Sequence, residues 1–146
     1  MKPFKKSILF ACNIFTVGLL IFVASCDKPK VVPESERVTN LLKSSSWVVL
    51  SVKVDDVAVA SFANMTLAFT STSYSTTNGG LVWPASGTWA FSDQTGKVIK
   101  RNDRLVINID TLSENILALS LNWANTTLGG GRNDSVGGKY VFTFIK

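Results

Sequence analysis

The sequence predicts an all-β domain, an antiparallel meander of about eight strands with one short helix in front of it. From Trp47 onward, apolar and polar residues alternate in most segments, as they do in strands with one buried face. Short turn signals separate these segments at hairpin spacing, among them Asp55-Asp56, Asn78-Gly79-Gly80 and residues 93–96. Such a meander either closes into a barrel or folds as a sandwich, and closure removes exposed strand edges.

The predicted helix directly precedes the first strand. Ser35 is a suitable N-cap, and Ser44-Ser45-Ser46 ends the helical pattern. The apolar positions recur at i, i+3 and i+4: Val38, Leu41 and Leu42. This is the pattern of a short helix with one apolar face.

The predicted strands follow in chain order. They are residues 47–54, 57–62, 65–70, 87–91, 97–100, 104–110, 117–123 and 140–145. The serine- and threonine-rich stretch before Asn78 is assigned to no strand of its own, and a glycine-rich loop precedes the last strand. The inward candidates are bulky enough to fill much of a small barrel: Trp47, Phe69, Trp89, Phe91, Leu119, Phe142 and Phe144.

The N-terminal segment predicts export followed by lipidation. Three lysines precede an apolar run over residues 8–23, and Ala24-Ser25 supplies the small residues of a cleavage site. Val23-Ala24-Ser25-Cys26 resembles the bacterial lipobox. The resemblance implies that Cys26 becomes the acylated first residue of the mature chain, with palmitate as the expected acyl group, and several chains on one residue anchor stably. The chain then divides into a signal peptide (1–25), a lipidated tether (26–35) and one domain (36–146).

An uncleaved transmembrane helix is the alternative interpretation of residues 8–23. This run is shorter than the about 20 apolar residues that span a bilayer, and Asn13 and Thr16 interrupt it. The lipobox at its end therefore favours cleavage. We expect the protein in the cell envelope, anchored to a membrane through Cys26. The outer membrane is favoured over the inner, although Asp27 directly after the cysteine leaves the leaflet open.

Charge and missing residue types exclude several functions. The 15 basic residues fall to 12 when the three lysines of the signal peptide are removed, which against 10 acidic residues leaves +2 rather than +5. No basic cluster interleaved with aromatic residues remains, so a nucleic acid is not an expected partner. The chain has no histidine, and Cys26 is the only cysteine of the mature part. The usual zinc and copper ligands and every Ser/His or Cys/His pair are therefore absent, and we expect neither an enzyme nor a metal or other cofactor.

Four short segments carry a resemblance to a known family. They are Leu41-Leu42-Lys43-Ser44-Ser45-Ser46-Trp47, Gly87-Thr88-Trp89-Ala90-Phe91, Leu117-Ala118-Leu119 and the closing Gly138-Lys139-Tyr140-Val141-Phe142-Thr143-Phe144. The chain from Glu36 to Lys146 is similar to the small lipocalin-like lipoproteins of Gram-negative bacteria. The resemblance implies a lipocalin-like barrel and a role in binding or in the envelope. In the lipocalin pattern Gly-x-Trp opens the first strand, and here Ser45 stands where the glycine belongs, which makes Trp47 a candidate plug for one end.

Two functions remain open for such a barrel. It could bind a small apolar ligand in its interior or mouth, with Trp47, Phe69, Trp89, Tyr140 and Phe142 as candidate contacts. The polar groups expected to orient such a ligand are Tyr140, Asn108 and Ser120.

The alternative is a packed, monomeric barrel that contacts glycan or another envelope protein through its loops. Trp83 and Trp123 lie near turn-rich segments and are the candidate contacts, although both could instead cap the barrel ends as core. Asp110-Thr111-Leu112 and Asp134-Ser135-Val136 also match a pattern that some Gram-negative groups O-glycosylate, which makes Thr111 and Ser135 candidate modification sites.

Overall fold

A computed structural model describes residues 32–124 and 136–146. Within these described residues lie one helix, α1 (Glu34–Lys43), and nine strands. The strands are β1 (Ser46–Val54), β2 (Val57–Val59), β3 (Thr66–Phe69), β4 (Ser73–Thr77), β5 (Ser86–Phe91), β6 (Val98–Arg101), β7 (Val106–Leu112), β8 (Ile116–Trp123) and β9 (Gly138–Ile145). The predicted signal peptide, Cys26, Ser135 and most of the glycine-rich loop lie outside the described residues.

The strands form one antiparallel sheet that closes on itself. Neighbouring strands pair in the order β2-β1-β3-β4-β5-β6-β7-β8-β9, and β9 also pairs with β1. Since β9 pairs with β1 from Val48 to Val54, β2 and β3 must share the opposite edge of β1. They occupy one position between them, so the barrel has eight positions. The prediction of an all-β, lipocalin-like barrel of about eight strands with one short helix is confirmed.

The β1–β2 hairpin shows why the turn signals were informative. Val54 and Val57 are register partners, which leaves Asp55 and Asp56 as a two-residue turn. Their φ angles are 47° and 66°, as a type I′ turn requires. Aspartate tolerates this left-handed region better than most residues because its short side chain can bond locally. This turn matches the right-handed twist of the flanking strands.

Three local predictions were wrong. The helix begins at Glu34 after Pro33, not after Ser35, and the Pro33 carbonyl accepts bonds from the backbone N–H groups of Glu36 and Arg37 at 2.9 and 3.2 Å. The second strand ends at Val59, because residues 60–64 turn and carry the Phe62 ring into the core. The stretch before Asn78 forms β4, where Tyr74 and Thr76 face inward and short hydroxyl side chains face out.

Helix α1 lies across one end of the barrel, which we call the helix end. The Trp47 indole N–H donates to the Leu42 carbonyl at 3.0 Å, and both side chains are fully buried. The Lys43 ammonium lies 3.5 Å from the Ser71 hydroxyl on the β3–β4 turn. Trp47 therefore lies in the core at this end, as the resemblance implied. None of the helical structure in residues 32–124 and 136–146 is both long and apolar enough to cross a bilayer.

The opposite end of the barrel, which we call the loop end, carries the connections on the side away from α1. Among the described residues they are the β1–β2 turn, residues 60–65, residues 78–85 and residues 102–105. The chain crosses this end with Phe62, Val82 and Trp83, all of which are buried. The loop end is therefore where surface clefts can reach the aromatic core.

Candidate functional site

The five residues predicted to contact a ligand all point into the barrel, but they form two groups. Trp89 and Phe69 pack edge to face at 5.7 Å between ring centroids, towards the helix end with Trp47. Phe142 and Tyr140 stack at 5.9 Å towards the loop end. All five are almost completely buried. The Trp89 indole N–H donates to the Ser73 carbonyl at 3.0 Å, so these rings are bonded and packed as core.

The loop-end group extends to a residue that the sequence did not single out. The Phe62 ring contacts Tyr140 edge to face at 6.0 Å and Phe142 at 5.1 Å. Phe62 comes from the turn segment 60–64, not from a strand. The sequence pattern places Phe62 at the end of the predicted second strand, and nothing in that pattern indicates that its ring contacts Tyr140 and Phe142.

A cleft of about 340 Å³ lies at the loop end, beside Phe62 and Tyr140. We call it the mouth cleft. It is lined by Val54, Asp55, Val57, Val59, Ser61, Phe62, Val136 and Tyr140. Val57 is 66% exposed and Val136 71% exposed, so two valines stand at its rim in contact with solvent. A mostly apolar cleft with few polar groups, near the lower end of the usual 300–1,000 Å³ of ligand pockets, suits a small apolar molecule.

The polar groups of the mouth cleft are held by the backbone around it. The Tyr140 hydroxyl donates to the Val136 carbonyl at 2.5 Å, and the Asp55 carboxylate accepts the Lys139 N–H at 2.9 Å. Burial raises the pKa of Tyr140, the bond to Val136 opposes that rise, and the Asp55 charge adds to it. The phenol is therefore neutral across the physiological range. Of the residues predicted to orient a ligand, Tyr140 is the one that lines a cleft in the part of the chain that the structure describes.

The other two predicted orienting residues, Asn108 and Ser120, do not face the interior. They are register partners between the inward pairs Ile107–Leu121 and Ile109–Leu119, so they lie on the outer face. Asn108 is exposed, and the Ser120 hydroxyl donates to an Asp110 carboxylate oxygen at 3.0 Å. Strand alternation alone could have excluded them, because Leu119 and Leu121 flank Ser120 on the opposite face.

A second cleft of about 230 Å³ lies on the barrel wall beside the mouth cleft. We call it the side cleft, and it shares Val59 and Phe62 with the mouth cleft. It exists because β3 pairs with β1 only through Val48 and β2 only from Val52 onward. In between, the backbone N–H of Val49 bonds to the Met65 carbonyl at 2.9 Å while the chain 60–64 bends away. Phe62 and its segment separate the two clefts.

A third, wider groove of about 450 Å³ crosses β3, β4 and β5 and is lined mainly by serine and threonine. Its aromatic residues, Phe69 and Tyr74, are buried. A Cβ atom on Gly87 would lie 2.6 Å from the Tyr74 hydroxyl, so the tyrosine ring fills the space over this glycine. Without an exposed ring among its lining residues, the groove lacks the stacking surface that sugar binding favours.

Trp83, predicted as a possible partner contact, is 1% exposed and belongs to the core, as the alternative held. Its ring packs edge to face on Tyr74 at 5.5 Å and on Phe142 at 6.2 Å. The Arg101 guanidinium carbon lies 5.1 Å from the Trp83 ring centroid. Among the described residues, the buried side-chain nitrogen without a hydrogen-bond partner is Nε1 of Trp83.

Arg101 binds the segment that carries Trp83 to the barrel wall. Its side chain is completely buried, its Nη1 donates to the Val82 carbonyl at 2.6 Å, and its Nε lies 3.2 Å from Asp103 Oδ1. The hydrogen bond from Arg101 lowers the pKa of Asp103, while burial opposes the shift. Arg101 is thus a paired, structural cation.

The remaining candidates lie apart from these clefts. Trp123 is half buried at the end of β8, as the register partner of Gly138. Thr111 is exposed on β7, which leaves its predicted glycosylation untested. Within the described ranges, no three or more His, Cys, Asp or Glu side chains come together as a metal site would require.

Comparison with protein-family models, with curated proteins and with solved structures finds no match to this chain. The resemblance to lipocalin-like lipoproteins therefore stays a prediction. The closed barrel, its packed aromatic core and the clefts around Phe62 are the basis on which function can be argued.

Proposed function

We propose that this protein is a cell-envelope lipoprotein, anchored through Cys26, whose barrel binds a small apolar ligand in the mouth cleft. The anchoring rests on the lipobox-like sequence that ends at Cys26. The binding rests on one observation: two valines, Val57 and Val136, stand exposed at the rim of a cleft whose wall is apolar. The role is binding and not catalysis.

The packing of the barrel limits where a ligand can bind and how large it can be. Trp47, Phe69 and Trp89 fill the region towards the helix end, and displacing such packed rings would cost more than a small ligand returns. The mouth cleft needs no such displacement. A ligand there would cover the exposed faces of Val57 and Val136, and each square ångström of apolar surface removed from water contributes about 25 cal/mol. Tyr140 remains the polar contact at its wall.

A non-enzymatic interaction module is the second candidate, and one observation favours it. Val48, Ile145 and Ile116 are register partners across β1, β9 and β8, all exposed on the outer face, and Leu50 follows on β1. Contiguous exposed aliphatic residues often mark a protein contact. Trp83 no longer supports this alternative, because its ring is buried.

Co-purification separates the two candidates. The mature chain from residue 26, made with Cys26→Ser so that it carries no acyl chains, contains every described element of the barrel. Organic extraction of this purified protein, followed by mass spectrometry, should release a small apolar compound in near-stoichiometric amount. A clean extract, together with stable association with an envelope protein that is lost when Ile116 or Ile145 is made polar, would instead support the interaction module.

A further inference from the structure

The polar side chains of the mouth cleft are mostly hydrogen-bond acceptors. The Tyr140 hydroxyl donates its proton to the Val136 carbonyl at 2.5 Å, so its oxygen can offer a ligand only a lone pair. The Asp55 carboxylate carries a negative charge and also accepts only. In this lining, the Ser61 hydroxyl is the side-chain group that can either donate or accept. A ligand that satisfies this wall therefore has to bring donors.

Asp55 is the one formal charge in the lining of the mouth cleft, as the described residues define it. Its Oδ1 accepts the Lys139 backbone N–H at 2.9 Å, which fixes the orientation of the side chain. A Cβ atom on Gly138 would lie 2.7 Å from Oδ2, so the glycine leaves room for this second oxygen. Neither ion pair of residues 32–124 and 136–146 includes Asp55. Within these residues, its charge is not paired with a side-chain cation.

The Asp55 carboxylate and the Tyr140 phenol lie close enough to act on one ligand group. Val54 is the register partner of Tyr140, and Asp55 follows Val54 directly in the chain. Burial raises the pKa of Tyr140 and the Asp55 charge adds to that rise, so the two groups are within electrostatic reach of each other. A ligand group between them would meet two acceptors and one negative charge.

We propose that the ligand of the mouth cleft is a small apolar amine, bound as its cation, whose ammonium group donates to the Asp55 carboxylate and the Tyr140 oxygen. Its apolar body covers Val57 and Val136 at the rim. This inference rests on the proposed function and adds the chemical class of the ligand. An ammonium group has donors and no acceptor, whereas a carboxylate on the same body would meet two acceptors and a like charge. Every side chain named here lines the cleft, so no packed ring has to move.

The test compares three ligands that share one rigid hydrocarbon cage. These are 1-adamantylammonium, 1-adamantanol and 1-adamantanecarboxylate, which carry a cation, a neutral hydroxyl group and an anion. The mature chain with Cys26→Ser is titrated with each at pH 7 by isothermal titration calorimetry. We expect the cation to bind about fivefold more tightly than the alcohol, and the carboxylate to bind most weakly. High salt should reduce the advantage of the cation, because salt screens exposed charges.

Two neighbouring substitutions then locate the charge that the cation recognises. Asp55→Asn removes the charge but keeps an oxygen that can accept the Lys139 N–H, and asparagine suits the positive φ of this turn position. Asp56→Asn makes the same change at the next residue of the turn, which does not line the cleft. We expect Asp55→Asn to weaken binding of the cation about fivefold. Asp56→Asn should leave it nearly unchanged, and neither variant should alter binding of the alcohol.

The outcomes separate this inference from the proposed function. If the three ligands bind equally well, if the carboxylate binds most tightly, or if both variants weaken binding of the cation equally, the inference is wrong and the proposed function stands. If none of the three ligands binds, the proposed function fails and the inference fails with it. The ranking of the three ligands needs no variant, so it tests the inference even if Asp55→Asn does not fold.

Discussion

The Trp47 indole N–H donates to the Leu42 carbonyl at 3.0 Å and so joins the end of α1 to the start of β1. Trp83 is a matched counterpart, because its indole is equally buried but its N–H has no described partner. Each ring also has a cation nearby, Lys146 at 5.4 Å from Trp47 and Arg101 at 5.1 Å from Trp83. The two tryptophans thus differ mainly in one hydrogen bond.

This difference predicts unequal costs for the same substitution. Trp47→Phe removes a donor and leaves the Leu42 carbonyl unpaired, whereas Trp83→Phe removes a donor that had no partner. Trp47→Phe should therefore lower the free energy of unfolding by about 1 kcal/mol more than Trp83→Phe does. Urea unfolding of both variants measures this difference. Equal losses would mean that Trp83 Nε1 is bonded in solution, for example to an ordered water.

Asp103 should stabilise the protein in a pH-dependent way. The Arg101 hydrogen bond holds the pKa of Asp103 below its ordinary value of 3.8. A lowered folded-state pKa contributes stability that is complete above the ordinary value and disappears as the pH falls through the folded-state value. Asp103→Asn should therefore lower the free energy of unfolding by about 1–2 kcal/mol at pH 7, a figure reduced for the partial exposure of this carboxylate. The loss should become smaller as the pH falls below 3.8.

Asp93→Asn is the control for that measurement. The pKa of Asp93 is also lowered, by its bonds from Thr95, but this carboxylate lies in an exposed turn and pairs with no buried cation. We expect a smaller loss at neutral pH than for Asp103→Asn. A loss of stability for Asp103→Asn that stays constant between pH 7 and pH 3 would contradict the conclusion that the hydrogen bond from Arg101 lowers the pKa of Asp103.

Gly79 should tolerate a side chain less well than its neighbour Gly80. A Cβ atom on Gly79 would lie 2.3 Å from the Trp83 carbonyl oxygen, so Gly79→Ala forces the Trp83 segment away from the barrel. Gly80 has φ +58° but open space, since the nearest atom, on Phe62, lies at 3.9 Å. Gly80→Ala should cost about 1 kcal/mol, through backbone conformation. Gly79→Ala should cost about 2–3 kcal/mol, through overpacking, and urea unfolding should rank them in this order. The reverse order would mean that the segment moves freely.

Alternation of apolar residues was sufficient to predict most of the barrel, because each strand buries one face. The same rule explains the omission of β4. Only Tyr74 and Thr76 of this strand face inward, and the hydroxyl residues around them resemble a loop. The predicted number of strands and the observed number of barrel positions are both eight, but only because two errors offset each other. The prediction omitted β4, and it counted β2 and β3 as two strands although they share one position in the barrel.

The site was less predictable because it depends on contacts between distant segments. Trp83 follows a strong turn signal, so its sequence context indicates a surface loop. What buries it is a bond from Arg101 to the Val82 carbonyl, across 19 residues of sequence. Phe62 was assigned to a strand for a similar reason, since nothing local indicates that residues 60–64 leave the ladder. Local patterns predict which face is apolar, but not which loop folds over an end.

The proposed anchoring through Cys26 makes a separate prediction. Expressed from its native sequence, the protein should incorporate an alkyne fatty acid and should lose the segment before Cys26. Cys26→Ala should abolish both the label and the cleavage, because the thiol that receives the first lipid is gone. Labelling is read by gel fluorescence and cleavage by intact mass. A wild-type product that is unlabelled and fully soluble would contradict the anchoring.

The central claim is that the mouth cleft binds a small apolar ligand, and titration with the uncharged fluorescent probe N-phenylnaphthylamine tests it most directly. The mature chain with Cys26→Ser serves as the reference. Val57→Asn places a polar side chain at the rim of the cleft, and Val106→Asn makes the same change at an exposed valine on β7, which lines none of the three clefts described above. We expect saturable binding that Val57→Asn weakens about fivefold, the effect of losing roughly 1 kcal/mol of apolar contact, and that Val106→Asn leaves unchanged. No saturable binding, or equal binding by both variants, would contradict the claim.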